Sequence, residues 1–167
     1  MTLADKMKFK MMCLVHESLY GLFRDAYKTL GAAGLRAGQQ ILEVGCGPGF
    51  FTIPAAKIVG EGGSILALDI NPLAVAHVQK KIETEGVTNA RTVLANAART
   101  NLPDQSFDLV FVFGFFRAVG GLETIWPELH RVLKGGGVLS VEGGLVPPSE
   151  LFQAVKRQGR ISQFRKI

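Results

Sequence analysis

Short apolar runs alternate with stretches in which apolar residues recur every three or four positions. The runs predict strands at residues 40–44, 64–68, 90–94, 107–113 and 138–142. The periodic stretches predict helices near residues 51–59, 72–85, 122–133 and 149–158. A short last strand is predicted at residues 161–166, and Pro127 is expected to kink its helix. This alternation indicates a single doubly wound α/β domain, with a mostly parallel sheet and helices on both faces.

The first 30 residues also follow a helical period. Apolar residues from Met11 to Leu30 recur at three- and four-residue steps, which predicts one amphipathic helix or two joined ones. Gly31 and Gly34 end this pattern. We therefore predict an N-terminal helical lid at residues 1–33, followed by the α/β domain at residues 34–167.

The composition excludes several classes of protein. The chain has 167 residues, 47% of them hydrophobic, which fits one globular domain with its own core. Its two cysteines, Cys13 and Cys46, have no metal-binding spacing, which argues against a zinc site and fits a reducing compartment. No apolar stretch is long enough to span a bilayer or to serve as a signal peptide. We therefore expect a cytoplasmic protein.

The net charge of +5 belongs to the ends of the chain. The segment 156–167 contains five basic residues and no acid, and the start of the chain is rich in lysine. This pattern argues against nucleic-acid binding, because no aromatic residues interleave with the basic ones to form a stacking platform. The Met-rich, Lys-flanked start leaves contact with a membrane surface open.

The most specific pattern is a glycine loop after the first predicted strand. Residues 41–50 read I-L-E-V-G-C-G-P-G-F, with Gly45, Gly47 and Gly49 at every second position. Glycine allows the backbone to turn sharply and to approach a ligand closely, because it has no Cβ. Such a loop at the carboxyl end of the first strand of an α/β sheet indicates an adenosine-containing cofactor.

Two more polar positions follow neighbouring strands. Asp69 ends the second strand, where a carboxylate can accept hydrogen bonds from both ribose hydroxyls, although it could instead only cap the next helix. Asn96 and Ala97 follow the third strand, where a side-chain carbonyl and a backbone N–H can meet an adenine edge. A dinucleotide site would prefer glycine at Phe50, so a dehydrogenase is the weaker interpretation. The loop instead suits a ligand with an amino-acid portion, whose ammonium Glu43 could engage.

Four segments together resemble the class I S-adenosylmethionine-dependent methyltransferases, in the group that includes quinone and sterol methyltransferases. E-V-G-C-G-P-G at 43–49 matches the first motif of that family, and L-D-I-N-P at 68–72 matches its acidic loop. N-L-P-D-Q-S-F-D at 101–108 and R-V-L-K-G-G-G at 131–137 resemble its segments before strands four and five. The resemblance covers residues 34–144 and implies the strand order 3-2-1-4-5.

The resemblance implies S-adenosylmethionine as cofactor and a site at the carboxyl ends of the strands. The glycines would flank the methionine portion, Asp69 would hold the ribose, and Ile70 would pack on the adenine. Asn96 stands where the family usually has Asp. The residues assigned to the cofactor are Glu43, Gly45, Gly47, Gly49, Asp69, Ile70, Asn96, Ala97 and Phe113.

The methyl acceptor is defined less well. Many relatives carry histidines after strand four, whereas this chain has Phe115, Phe116 and Arg117, which favours an apolar acceptor with an anionic group. The two phenylalanines could equally belong to the core. Tyr20 and Phe23 of the lid are further candidates for acceptor contacts. No catalytic base is assigned, and no metal is expected, because the three histidines have no partner at ligand spacing.

The end of the chain departs from the family pattern. The family ends with a helix and a two-stranded hairpin, whereas residues 161–167 provide at most one strand. We expect an early end of the sheet, a truncated chain, or a second subunit on the exposed edge. The alternative function is therefore a cofactor-binding subunit without activity, completed by a partner at that edge. Glu142, at the end of strand five, could face the acceptor or only solvent.

Overall fold

The computed structural model describes residues 3–15, 25–114 and 122–167. These residues form one seven-stranded sheet in the order β3-β2-β1-β4-β5-β7-β6. Its strands are β1 (Gln40–Val44), β2 (Ser64–Asp69), β3 (Ala90–Leu94), β4 (Phe107–Val112), β5 (Leu133–Glu142), β6 (Phe152–Gln158) and β7 (Ile161–Lys166). The helices are α1 (Leu3–Val15), α2 (Ala26–Ala33), α3 (Thr52–Val59), α4 (Pro72–Thr84) and α5 (Trp126–Val132). The predicted doubly wound fold and the order 3-2-1-4-5 are confirmed.

Two hydrophobic clusters, one on each face of the sheet, explain the continuous apolar runs. In β1, Ile41 packs in the cluster that contains α2, α3 and α4, whereas Leu42 packs in the cluster that contains α5. In β4, Leu109 and Val110 divide between the same two clusters. Successive strand residues point to opposite faces, so a strand covered on both faces needs apolar residues at every position.

Two helix starts show how local sequence sets the boundaries. Asn71 caps α4, and its Oδ1 accepts a hydrogen bond from the backbone N–H of Leu73 at 3.0 Å, as the Asn71-Pro72 pair indicates. Pro127 lies in the first turn of α5, after a 3-10 turn at Leu122–Thr124. The expected kink at Pro127 is therefore wrong, because a first-turn proline lacks only an N–H that has no partner within the helix.

The C-terminal part corrects the sequence prediction most strongly. The helix predicted at residues 149–158 is wrong, since Phe152–Gln158 is the strand β6. β7 pairs antiparallel with both β5 and β6, so the chain has the two-stranded hairpin that we expected to be missing. The edge of β5 is covered by β7 of the same chain, and at this end of the described sheet the edge strand is β6.

Helix α2 is hydrogen-bonded to two strands of the sheet, whereas α1 contacts helix α4. The backbone carbonyl of Ala33 in α2 accepts a hydrogen bond from Ser140 Oγ at 2.6 Å, and that of Ala32 accepts one from Gln163 Nε2 at 2.7 Å. α1 contacts α4 through the rings of Phe9 and His77. A domain boundary at residue 33 stays a prediction. Among the described residues, no helix is both long enough and apolar enough to cross a membrane.

Candidate functional site

The glycine loop closes against the end of β2. The N–H groups of Gly45 and Cys46 both donate to the carbonyl of Leu68, at 2.8 and 3.0 Å. Gly45, Gly47 and Gly49 have φ values of +78°, +50° and +76°, in the left-handed region that favours glycine. The three glycines are therefore required by the backbone of the loop itself.

Gly47 and Gly49 differ in what surrounds them. A Cβ at Gly49 would lie 2.9 Å from Cγ2 of Val78, so this glycine lets α4 pack closely against the loop. A Cβ at Gly47 would meet no atom within 4 Å. Gly49 therefore has a packing role, and Gly47 leaves a space in which a ligand can approach the backbone.

Asp69 joins the glycine loop to the loop that follows β2. Its Oδ2 accepts a hydrogen bond from the N–H of Gly47, and its Oδ1 accepts one from the N–H of Asn71, both at 2.9 Å. The helix cap is Asn71, so Asp69 does not have the capping role. Each carboxylate oxygen can accept a further bond, which leaves capacity for ligand hydroxyls.

Glu43 is a buried acid at the end of β1. Its side chain is 2% exposed, and its Oε2 is 2.6 Å from the hydroxyl of Thr52 in α3. The pKa of Glu43 is raised to about 8, chiefly by burial and also by the charge of Asp69, although the Thr52 hydrogen bond and Lys81 act to lower it. A cationic group bound beside Glu43 would favour its ionised form, so the site can couple an ammonium to a carboxylate.

Cys46 lies in the same loop without a reactive thiol. Its side chain is buried, and burial raises the pKa of the thiol well above its ordinary value, with further increases from Glu43 and Asp69. The thiolate is the nucleophilic form of cysteine, so Cys46 serves as a small apolar side chain here.

The remaining cofactor candidates lie along the same edge of the sheet. Ile70 is 67% exposed after β2 and offers an apolar surface to a flat ring. Asn96 follows β3, but its Oδ1 already accepts a hydrogen bond from the N–H of Ala98 at 2.9 Å. Ala97 is buried beside it, and Phe113 stacks on Phe111 after β4 with ring centres 4.8 Å apart. Because β3, β2, β1 and β4 are parallel neighbours, their carboxyl ends meet at one edge.

Five residues predicted to contact the acceptor lie outside the described residues. They are Tyr20, Phe23, Phe115, Phe116 and Arg117. Their roles stay predictions. Among the residues that the structure describes, no group of three His, Cys, Asp or Glu side chains could hold a metal ion.

The sequence interpretation missed the hydrogen bond between Thr52 and Glu43 and left the position of Glu142 open. The sequence feature that could have indicated the hydrogen bond between Thr52 and Glu43 is a hydroxyl residue in the first helical turn after the glycine loop. Glu142 is buried, and its Oε2 accepts a hydrogen bond from the N–H of Gly114 at 3.2 Å. Its Oε1 lies 3.4 Å from Nε of Arg160 in the turn between β6 and β7. Glu142 therefore links the ends of β4 and β5 to the hairpin.

Comparisons with known proteins agree with this geometry. A family model described as a methyltransferase domain matches residues 41–137. The chain is 32% identical over 131 residues to the ubiquinone/menaquinone biosynthesis C-methyltransferase UbiE of Marinomonas sp., covering 78% of this chain and 52% of that protein. It is 33% identical over 104 residues to the demethylmenaquinone methyltransferase of Geobacillus stearothermophilus, covering 62% and 44%. The chain thus spans about half the length of these curated relatives.

One solved structure matches nearly the whole chain. It is a SAM-dependent methyltransferase from Aquifex aeolicus, with a TM-score of 0.80 and 22% sequence identity. The match covers 96% of this chain and 97% of that one. At this level of identity the similarity shows the fold alone.

Proposed function

The chain belongs to the class I S-adenosylmethionine-dependent methyltransferase family, and on this premise we propose that it transfers the methyl group of S-adenosylmethionine to a small, partly apolar acceptor. The names of the relatives UbiE and demethylmenaquinone methyltransferase suggest the acceptor class. We infer a quinone-type ring that is methylated at carbon.

The proposal rests mainly on the two hydrogen bonds that the carboxylate of Asp69 accepts from the N–H groups of Gly47 and Asn71. It fixes a carboxylate between the two loops that a nucleoside with an amino-acid tail would contact. In the proposed complex, Asp69 accepts from the ribose hydroxyls, Glu43 attracts the ammonium, and Ile70 covers one face of the adenine. Asn96, Ala97 and the Phe113 carbonyl are proposed for the adenine edge and amino group.

The cofactor supplies an activated methyl group on a sulfonium, and its leaving group is neutral. The protein then has to align the acceptor with the methyl and to exclude water. Phe51, Phe111 and Phe113 form a cluster of ring contacts behind the glycine loop, which keeps this end of the sheet apolar. Tyr20, Phe23, Phe115, Phe116 and Arg117 are proposed to contact the acceptor.

Calorimetry with S-adenosylhomocysteine on the wild type and Asp69→Ala tests the cofactor site. We expect the affinity to fall by about 100-fold in the variant, because a carboxylate with several charge-assisted hydrogen bonds is lost. Asp69→Asn, which keeps the shape, is the matched control and should lose less. Equal affinities of wild type and Asp69→Ala would refute the ribose assignment, and a preference for NADH would refute the methyltransferase proposal.

Transfer of tritium from labelled S-adenosylmethionine to short-chain demethylmenaquinol tests the acceptor class. Incorporation into the ring supports the proposal. Cofactor binding without transfer to this quinol or to a wider metabolite panel would favour the silent-subunit alternative. That alternative arose from the expected open edge of β5, which β7 of the same chain covers.

The cellular location of the protein and its oligomeric state are also proposals. We propose a cytoplasmic protein, because the chain has only two cysteines, Cys13 and Cys46, and their spacing does not indicate a disulfide framework. The sheet edge that could pair with a second subunit is now β6, and size-exclusion chromatography with light scattering tests for a dimer.

A further inference from the structure

Helix α1 is apolar on two opposite faces. On one face Cys13 is 8% exposed, and Phe9 and Met12 are partly buried. The ring of Phe9 contacts the ring of His77 in α4 edge-on, with centres 5.8 Å apart. This face attaches α1 to the domain.

The opposite face is apolar and exposed. Its four side chains stand at positions i, i+4, i+7 and i+8, which lie on one side of a helix with 3.6 residues per turn. They are Met7 (63% exposed), Met11 (68%), Leu14 (65%) and Val15 (42%). Four neighbouring apolar side chains exposed on one surface are typical of an interaction site.

Two lysines border this exposed apolar face. With 100° between successive residues, Met7, Met11, Leu14 and Val15 span about 100° of the helix, and Lys8 and Lys10 lie just outside its two limits. Both lysines are exposed, so their ammonium groups are in water beside an apolar strip. Lysine at this boundary can lay its methylene stem along an apolar phase and keep its charge at a polar interface.

We propose that α1 lies on the surface of a bilayer that contains anionic lipids. Met7, Met11, Leu14 and Val15 enter the boundary between headgroups and acyl chains, and Lys8 and Lys10 pair with lipid phosphates. The charge pattern favours this occupant over a protein surface, because cations on both sides of an apolar strip match an anionic plane. The contact is peripheral and reversible, since α1 has 13 residues.

The test is sedimentation of the 167-residue chain with vesicles. One set contains phosphatidylglycerol and phosphatidylcholine in equal parts, and the other contains only phosphatidylcholine. We expect binding to the anionic set, with a partition coefficient about fivefold lower for each lysine replaced in Lys8→Gln and Lys10→Gln. Met11→Asp with Leu14→Asp should lower it at least about tenfold.

Lys156→Gln with Arg157→Gln, on the exposed strand β6, is the charge-matched control. It should change binding by less than about twofold if α1 is the contact. Loss of binding in this control but not in the α1 variants would overturn the proposal. So would conversion of a dimer to a monomer by Met11→Asp with unchanged vesicle binding, which would assign the face to a second copy of the chain.

The proposal does not depend on the acceptor or on the cofactor. Each variant is also titrated with S-adenosylhomocysteine, because none of the four positions belongs to the cofactor site. Unchanged affinity together with lost vesicle binding supports the proposal. If the wild type binds anionic vesicles but not S-adenosylhomocysteine, the proposed function is refuted and this inference stands. If it binds S-adenosylhomocysteine but never sediments with anionic vesicles, this inference is refuted and the proposed function stands.

Discussion

The two ends of the sheet are built in different ways. At the parallel end, from β3 to β4, the strands finish in loops whose conformation is set by three glycines and by the carboxylate of Asp69. At the antiparallel end, β7 pairs with both β5 and β6, and Val138 of β5 lies opposite Arg165 of β7. The proposed cofactor site belongs to the parallel end alone.

Because of this difference, we expect substitutions at the two ends to affect ligand binding and folding stability separately. The glycine loop tolerates few substitutions, because Gly45, Gly47 and Gly49 have positive φ values and because Val78 lies close to Gly49. The hairpin contributes a few buried side chains and exposes most of β6, so many substitutions there should be neutral. Damage to the hairpin should therefore reduce the folded fraction, whereas damage to the loop should change ligand binding by the molecules that remain folded.

The largest effect on stability is expected for Phe152→Ala. Phe152 is 2% exposed and packs edge-on against His130. Its truncation should lower the free energy of unfolding by about 3–5 kcal/mol. Urea unfolding measures the loss, and Val155→Ala on the exposed side of β6 is the control, with an expected change below about 0.5 kcal/mol. The folded fraction should bind S-adenosylhomocysteine as the wild type does, and weaker binding would show that the two ends are coupled.

A smaller loss of stability, with a loss of binding, is expected for Gly49→Ala. The new Cβ would lie 2.9 Å from Val78 at a φ of +76°. Overpacking and left-handed strain together should cost about 2–4 kcal/mol. Gly86→Ala isolates the strain, because Gly86 has a φ of +63° with no atom within 4 Å of the added Cβ, and should cost about 1 kcal/mol. Equal losses in the two variants would contradict the packing role of Gly49.

The pH dependence of Glu43 provides a third test. The pKa of Glu43 is about 8 in the folded protein and 4.5 in its ordinary environment. The folded state therefore holds a proton that the unfolded chain has lost, and this contribution to stability falls by about 1.4 kcal/mol per pH unit between those values. Glu43→Gln should remove this slope from the unfolding free energy. A slope that persists in Glu43→Gln would assign it to another group.

The proton on Glu43 should also be released when a ligand with an ammonium group binds. S-adenosylhomocysteine carries an ammonium that favours ionised Glu43, so its binding at neutral pH should release a proton. Calorimetry in two buffers of different ionisation enthalpy measures the release. 5′-Methylthioadenosine has no ammonium and is the matched ligand control, for which no release from Glu43 is expected.

The smallest effect is expected at the link between the hairpin and β4. Arg160 is 82% exposed where it approaches Glu142, so Arg160→Ala should change the free energy of unfolding by less than about 1 kcal/mol. Glu142→Ala should cost more, about 1–3 kcal/mol, because the N–H of Gly114 loses its buried acceptor. Thermal unfolding compares the two, and equal effects would mean that the ion pair rather than the Gly114 hydrogen bond stabilises the link.

The sequence predicted the parallel half of the fold because its signals are local. Continuous apolar runs such as residues 107–113 report burial on both faces, and Asn71-Pro72 marks a helix start within a few residues. The close packing at Gly49 and the Asp69–Gly47 hydrogen bond need three-dimensional proximity. Only the residue types, and not these contacts, could be inferred.

β6 was mistaken for a helix for a definite physical reason. Its sequence contains Gln, Ala, Lys and Arg, which favour helices, and only Phe152 of its seven residues is buried, so no alternation appears. The strand forms because β7 supplies a partner across the turn at Gly159 and Arg160. Pairing with β7 thus outweighs the local preference of these residues for a helix.

The position of β7 between β5 and β6 has a consequence for synthesis on the ribosome. β6 emerges before β7 but is hydrogen-bonded to the described sheet only through β7, so it has no strand to pair with until β7 follows. The nascent chain must therefore hold a finished β5 with an unpaired edge until residues 161–166 arrive. During that interval the unpaired edge of β5 can pair with a strand of another chain.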